Sequence, residues 1–157
     1  MAFDSKEQRR IMGRFATSVT VVSTIVGKGD TWGMTANAVT SLSLDPPLVL
    51  VAVARGNQTH DYVRESRCFA INILSADQEQ LSNRFATVGP KNFSDLEVKT
   101  AVTGSPILVG AIGYVDCKLT DILPGGDHAI FIGEIVAGDA GDGKPLLFYN
   151  GRYVQLA

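Results

Sequence analysis

Reactive side chains are scarce in this 157-residue chain: it has two histidines, two cysteines and one tryptophan. His60 and His128 have no close Cys or His neighbour. A zinc site would need four scattered ligands to converge. Cys68 and Cys117 lie far apart in strand-like apolar contexts. They read as two buried, reduced thiols and not as a disulfide framework. No Gly-x-Ser-x-Gly nucleophile elbow occurs. No apolar run approaches the ~18–20 residues of a spanning helix. Neither sign of charge dominates: the formal net charge is -2, which gives no reason to expect nucleic acid or an anionic membrane as partner. The charged start, Met1 to Arg10, lacks an apolar signal region, so the cytoplasm is the expected location. Internal repeats, low-complexity segments and linkers are also missing, and one domain spanning 1–157 is expected.

Two glycine-rich stretches fail as nucleotide loops. Gly138-Asp139-Ala140-Gly141-Asp142-Gly143-Lys144 has the glycine and lysine spacing of a P-loop. The next residue is Pro145, where a magnesium-binding Ser or Thr is needed, and Asp139 and Asp142 would repel a triphosphate. A hairpin turn is expected there instead. Gly27-Lys28-Gly29 lacks the third glycine of the dinucleotide fingerprint and precedes a strand.

What is present is a well-populated core. Hydrophobic residues make up 45% and charged residues 19%, which marks a folded globular chain. Ser5 to Ala16 reads as a helix, with Ser5 and Gln8 spaced as a capping box and Ile11, Met12 and Phe15 on one face. Thr20 to Val26 is a β-branched strand that turns at Gly27–Asp30 and pairs back through Thr31 to Asn37. Leu48 to Ala54 is continuously apolar and reads as a buried strand. Thr59 to Ser66 predicts a short helix, and Cys68 to Leu74 a strand. Ser75 to Ala86 predicts a second capped helix, using Ser75 and Gln78. Ala111 to Leu123 alternates, with Val115, Cys117 and Leu119 on one face and Asp116, Lys118 and Thr120 on the other. Pro124–Asp127 turns the chain into a strand over His128 to Ala137, and Leu146 to Tyr149 adds another. Strands joined by short turns favour a mostly β fold, an antiparallel sheet closed or nearly closed into a barrel with a few short peripheral helices. Long helices do not alternate with the strands, which argues against a Rossmann fold. One protomer has difficulty covering so many apolar strands, so a homodimer is expected.

The most informative segment begins at Gly33-Met34-Thr35-Ala36-Asn37 and continues through Thr40-Ser41-Leu42-Ser43-Leu44-Asp45-Pro46-Pro47 into Leu48–Val51. Small hydroxyl and amide side chains crowd beside a buried strand. That arrangement suits a flat, polar-edged ligand that the backbone approaches closely. A Ser/Thr-rich edge strand with no ligand fits the residue types equally well.

An ordered set of motifs resembles the flavin reductase-like family, the small FMN-binding split-barrel reductases of two-component flavin-dependent monooxygenases. The set begins with Phe15-Ala16-Thr17, Val19–Val22, Gly33–Asn37 and Ser41–Pro47. It continues with Thr59-His60, Phe69–Leu74, Arg84-Phe85-Ala86, Gly126-Asp127-His128, Phe131–Glu134 and Gly151-Arg152-Tyr153. The chain departs from the pattern at Ala38, where serine is common, and at Ser18, where glycine is common. The first departure removes one hydroxyl from the ligand edge.

The resemblance implies an antiparallel split β-barrel that binds FMN or FAD and takes hydride from NADH or NADPH. Such a reaction fits a chain without acid–base machinery, because the cofactor carries the chemistry and the protein supplies position and hydrogen bonds. Thr35, Ala36 and Asn37 are implied to lie along the isoalloxazine ring, their donors stabilising charge at its pyrimidine edge. Ser41, Leu42 and Ser43 are implied to support the ring and ribityl chain. Arg55, Asn57 and Thr59 are implied to meet the phosphate at the start of a helix. Asn57 and Thr59 serve equally as simple helix caps, and Phe85 as core or flavin contact. His128 is implied to sit near the nicotinamide, with a purely structural role as the alternative. His60 reads as a surface or capping residue, Trp32 as packing or a dimer contact, and Arg152-Tyr153 as a segment closing over the site or reaching a second subunit. The implied function is an NAD(P)H:flavin oxidoreductase supplying reduced flavin to a partner monooxygenase. Two other functions share the fold: a tightly bound FMN reducing another acceptor such as a corrinoid, and a non-catalytic flavin-binding protein.

Overall fold

The computed structural model describes residues 2–157. It is mostly β, with three short helices. The elements in order are α1 (Ser5–Met12), β1 (Thr17–Ser18), β2 (Thr20–Val26), β3 (Asp30–Ala36), β4 (Val39–Leu44), β5 (Pro47–Ala54), α2 (Gln58–Ser66) and β6 (Cys68–Ile73). They continue as α3 (Glu79–Ala86), β7 (Val98–Lys99), β8 (Ile107–Leu108), β9 (Gly113–Gly125), β10 (His128–Ala140), β11 (Leu147–Tyr149) and β12 (Arg152–Val154). A seven-stranded sheet in the order β3-β2-β6-β9-β10-β5-β4 carries the fold, and every pairing in it is antiparallel. A smaller sheet, β1-β11-β12, and the pair β7-β8 lie beside it.

Among the described residues hydrogen bonds do not close the large sheet, so of the closed or nearly closed barrel expected from the turns the structure shows the antiparallel sheet without closure. Its edges are β3 and β4. These two edges are consecutive in the chain, joined only by Asn37-Ala38. The sheet must therefore curl until its edges meet at one corner, and the concave side becomes the core. One core cluster gathers Val22, Val51, Val53, Phe69, Ile71 and Phe131; a second gathers Val21, Leu74, Phe85, Leu108 and Leu146 beneath α3. Gly33 lets α3 approach: a Cβ there would lie 2.7 Å from the Phe85 ring. At about 25 cal/mol per Å² of apolar surface, each fully buried aliphatic or aromatic side chain contributes roughly 1.5–3 kcal/mol.

Several local expectations are corrected. Helix α1 is capped by Asp4, whose Oδ1 accepts the Lys6 N–H at 3.1 Å, and not by a Ser5–Gln8 box. A carboxylate at that position satisfies a free N–H and also complements the helix dipole. The helix stops at Met12, before Ala16, and buries none of its residues. At the next capping box only half forms: Gln78 Oε1 accepts the Ser75 N–H at 2.9 Å, while the Ser75 hydroxyl turns to Asp77. Helix α3 consequently starts at Glu79. Strand β5 is not uniformly buried; Val49, Val51 and Val53 are enclosed, and the residues between them are half-buried. The 138–145 stretch is not a hairpin turn. Its first three residues finish β10, and the rest crosses to another sheet, tied by Gly141 N–H to Ile112 C=O and by Ala76 N–H to Lys144 C=O, both 2.8 Å.

Asp116 departs furthest from its expected place. The alternation put it on the polar face with Lys118, yet it is fully buried. The loop before β8 folds over that face, and Asp116 accepts the N–H groups of Val102 and Thr103, both at 2.8 Å, and the Thr103 hydroxyl at 2.5 Å. Asn72 pins the same region: its amide donates to Val21 C=O and Ser23 Oγ and accepts Leu108 N–H. No buried side-chain N or O among the described residues lacks a partner, as a well-specified polar interior requires. Both cysteines are free and buried, as the sequence predicts.

Candidate functional site

Three cavities with shared walls run along β3 and past the Asn37-Ala38 corner. The corner cavity measures about 500 Å³. Its floor is aliphatic, from Val49, Ile71, Ile73, Val115 and Ile135; its rim is polar, from Thr17, Ser18, Thr20, Asn37, Thr40 and Ser41. A middle cavity of about 220 Å³ shares Asn37 with it and adds Val19, Thr35, Ala36, Ser82, Phe148 and Tyr153. A third, of about 310 Å³, shares Thr35 and Ala86 with the middle one and reaches Trp32, Phe85, Lys91 and the Gly56-Asn57-Gln58 turn. The three follow one another from the β4 corner to the start of α2, and this row of cavities is termed the groove.

The strand order explains why the groove lies here. As a sheet edge, β3 has a hydrogen-bonded neighbour on one side only, and helix α3 lies against it. Thr35 Oγ1 donates to Ser82 C=O at 2.6 Å, fixing strand to helix. Thr20 Oγ1 donates to Ala36 C=O at 2.6 Å and holds the strand end. Asn37 lies just past the strand, exposed, with its Nδ2 3.2 Å from Thr17 Oγ1. Tyr153 reaches in from β12: its hydroxyl lies 2.6 Å from the buried Ser82 Oγ and donates to Asn83 Oδ1 at 3.1 Å.

The structure brings Thr35, Ala36, Asn37, Ser41, Asn57 and Phe85 onto the groove walls. Phe85 is also a core residue, 1% exposed. Leu42 and Ser43 sit on β4, where the register shifts between Ser41 and Ser43, and line none of the three cavities. Thr59 is fully buried; its hydroxyl accepts Trp32 Nε1–H at 2.8 Å and its N–H donates to the Asn57 cap at 2.9 Å. Its side chain is thereby committed to packing, and Trp32 is a packing residue, 6% exposed. Arg55 is outside the groove, its Nε donating to His128 C=O at 3.2 Å. His128 also lines no cavity; its Nδ1 is 2.8 Å from Asp127 Oδ1, and that hydrogen bond holds the Asp127 carboxyl below the usual carboxylate range.

Sequence reasoning assigned no ligand role to Lys91, Thr17 or Thr20, while Thr40 belongs to the hydroxyl-rich segment it singled out. Lys91 sits in an irregular stretch with no periodicity to place it. Its Nζ lies 4.6 Å from the centre of the Trp32 ring, and burial pushes its ammonium pKa down.

A groove with an apolar floor at its corner, a hydroxyl and amide rim and a cation at one end fits a heteroaromatic nucleotide. Known proteins match this chain along almost its whole length. The reductase component of a 4-nitrophenol 4-monooxygenase/4-nitrocatechol 2-monooxygenase from Rhodococcus opacus is 43% identical over 150 residues, covering 96% of this chain and 80% of the relative. The NADH-dependent FMN reductase SmoA of Agrobacterium fabrum is 39% identical over 154 residues, covering 98% and 87%. The solved structure of the flavin reductase PheA2 superposes with a TM-score of 0.91 at 38% identity, covering 99% of both chains. Residues 12–157 match the model of the flavin reductase like domain, and the chain belongs to that family.

Proposed function

We propose that this protein is an NAD(P)H:flavin oxidoreductase that reduces FMN or FAD and passes reduced flavin to a separate monooxygenase in the cytoplasm. The observation that carries the reading is the row of cavities along β3, whose largest member, at the corner, has an apolar floor and a polar rim. The relatives, a monooxygenase reductase component and an NADH-dependent FMN reductase, support the reaction and its destination. Bound flavin supplies a hydride acceptor and an electron sink. The chain's own residues do the rest. Asn37 offers an amide donor and acceptor at the open corner, where negative charge on a reduced ring needs donors. The aliphatic floor excludes water beneath the ring. Thr35 is held by Ser82, so it fixes the wall and does not itself spare its proton. Asn57 presents the start of α2 to the far end of the groove. No protein acid or base is required; no histidine, aspartate or glutamate lines the three cavities, and Lys91 stands apart at the α2 end.

The whole chain acts as a single split-barrel unit in this reading, and the two-residue corner is the split. His128 lies outside the walls with its imidazole half-exposed and anchored by Asp127, available to the nicotinamide nucleotide and not to the flavin. The test is anaerobic oxidation of NADH and NADPH with added FMN or FAD, well above the free-flavin background. Asn37→Leu should weaken flavin binding by roughly 1–3 kcal/mol. His128→Ala should raise KM for NADH and leave flavin affinity alone. Flavin binding with no nucleotide oxidation would establish a storage protein instead.

A further inference from the structure

We propose that Thr17 is a positioning residue: its hydroxyl, reaching the corner from β1, sets the plane of the Asn37 amide and so fixes how selectively that amide grips the ring edge; this rests on the flavin reading of the groove. The backbone on both sides of Asn37 is pinned. Thr20 Oγ1 donates to Ala36 C=O at 2.6 Å, and Ala52 N–H donates to Ala38 C=O at 3.0 Å. The freedom left at the corner lies in the Asn37 side-chain torsions, and the outer one is broad for an amide. Among the described residues Thr17 Oγ1, 3.2 Å from Asn37 Nδ2, is the one hydrogen-bond partner of that side chain. The other rim threonines are engaged elsewhere, Thr20 with Ala36 and Thr40 with Ser41 C=O at 3.3 Å.

Thr17 is itself held. It pairs with Phe148 on the small sheet, and two residues on, Val19 N–H donates to Leu146 C=O at 3.1 Å. A β-branched side chain on a strand has few χ1 choices, so the hydroxyl stays where the backbone puts it. A primary amide has two N–H donors and one carbonyl acceptor. With one N–H given to Thr17, one N–H and the carbonyl remain, in a set plane. The pyrimidine edge of a flavin is a cyclic imide, one N–H between two carbonyls, and matches that pair donor to acceptor. While the corner is open to water the contact contributes little to folding, because Asn37 is exposed. A ring covering the corner excludes water, and the same hydrogen bond strengthens. Its effect therefore falls on binding and on selectivity for the imide.

The experiment measures dissociation constants for FMN and its N3-methyl derivative, which lacks the imide N–H, together with the melting temperature of the ligand-free protein. Thr17→Val keeps the shape and removes the hydroxyl. It should weaken FMN binding about three- to tenfold, leave the N3-methyl compound nearly unchanged and so reduce the preference for FMN by the same factor, with the melting temperature kept. Thr17→Ser should retain most of the preference. In an Asn37→Leu background Thr17→Val should add nothing, since the hydroxyl acts through the amide. An equal preference in wild type and Thr17→Val, or no preference in the wild type, would overturn the assignment. So would a Thr17→Ser that fails as Thr17→Val does, which would make the methyl group the cause. A further loss in the Asn37→Leu background would give the hydroxyl its own contact with the ring, and a Thr17→Val that loses its fold would make it a structural strut; both overturn the positioning role. Binding of neither compound by the wild type would instead overturn the flavin reading of the groove.

Discussion

Cys117 sits where β9 crosses between β6 and β10, opposite Phe69 on one side and Ile135 on the other. It is fully enclosed, and burial, with a smaller contribution from the adjacent Asp116, pushes its thiol from 9.0 up to about 12. The folded state therefore keeps a proton that the unfolded chain releases near pH 9. Stability from this group is intact below that pH and is lost as pH rises toward about 12. Denaturant midpoints measured between pH 7 and 10.5 should fall more steeply for the wild type than for Cys117→Ala, although the alanine variant starts lower because of its cavity. Parallel curves would show that the thiol does not drive the alkaline loss. Native protein at pH 8 should also resist alkylation at this position, because a protonated thiol is a poor nucleophile.

At the scale of elements, the groove depends on a relay between the C-terminal hairpin and the β3 edge. Tyr153 meets Ser82 and Asn83, and the Ser82 carbonyl accepts Thr35. Tyr153→Phe leaves a fully buried Ser82 hydroxyl without its partner, a cost of about 1–3 kcal/mol. Melting temperature should fall, and flavin affinity should fall with it because α3 no longer fixes the wall. A lower melting temperature with unchanged flavin affinity would confine Tyr153 to packing. This relay marks the boundary of what the sequence reveals. The β-branched run of β2, the apolar run of β6 and the Asn57 cap of α2 are visible as period and cap. Their local causes are complete in a few adjacent residues. Lys91 over Trp32 and Asp116 under the 102–103 loop depend on segments distant in sequence, which no local pattern reports. Strands β7 and β8 have two residues each and present no period to read. Of the residues singled out for the flavin, those on β3 and at its corner reach the groove because strand geometry places them. Arg55 and Thr59 do not, because a backbone carbonyl and an indole claim them first.

Across the whole molecule, α1 buries none of its residues and is tied to the rest only near its end, where Asn150 N–H donates to Gly13 C=O. Ile11, Met12 and Phe15 are 44%, 53% and 65% exposed, and Leu42 and Leu44 on β4 are 44% and 91% exposed. Large apolar side chains left uncovered on a folded chain mark an association surface. We propose that it pairs with a second copy in a homodimer. Sedimentation should give twice the mass of one 16.7 kDa chain, and Ile11→Glu with Phe15→Glu should shift it to the monomer without loss of secondary structure. A monomeric wild type would refute the pairing. The β3 edge carries a different consequence. A strand bonded on one side only is a template for another chain's backbone, and a sheet with such an edge risks uncontrolled stacking. Here α3 shields part of it, and the groove lies along the remainder. Any nucleotide seated there also serves as a guard against self-association, so cofactor-starved protein should be the form that clouds first on warming.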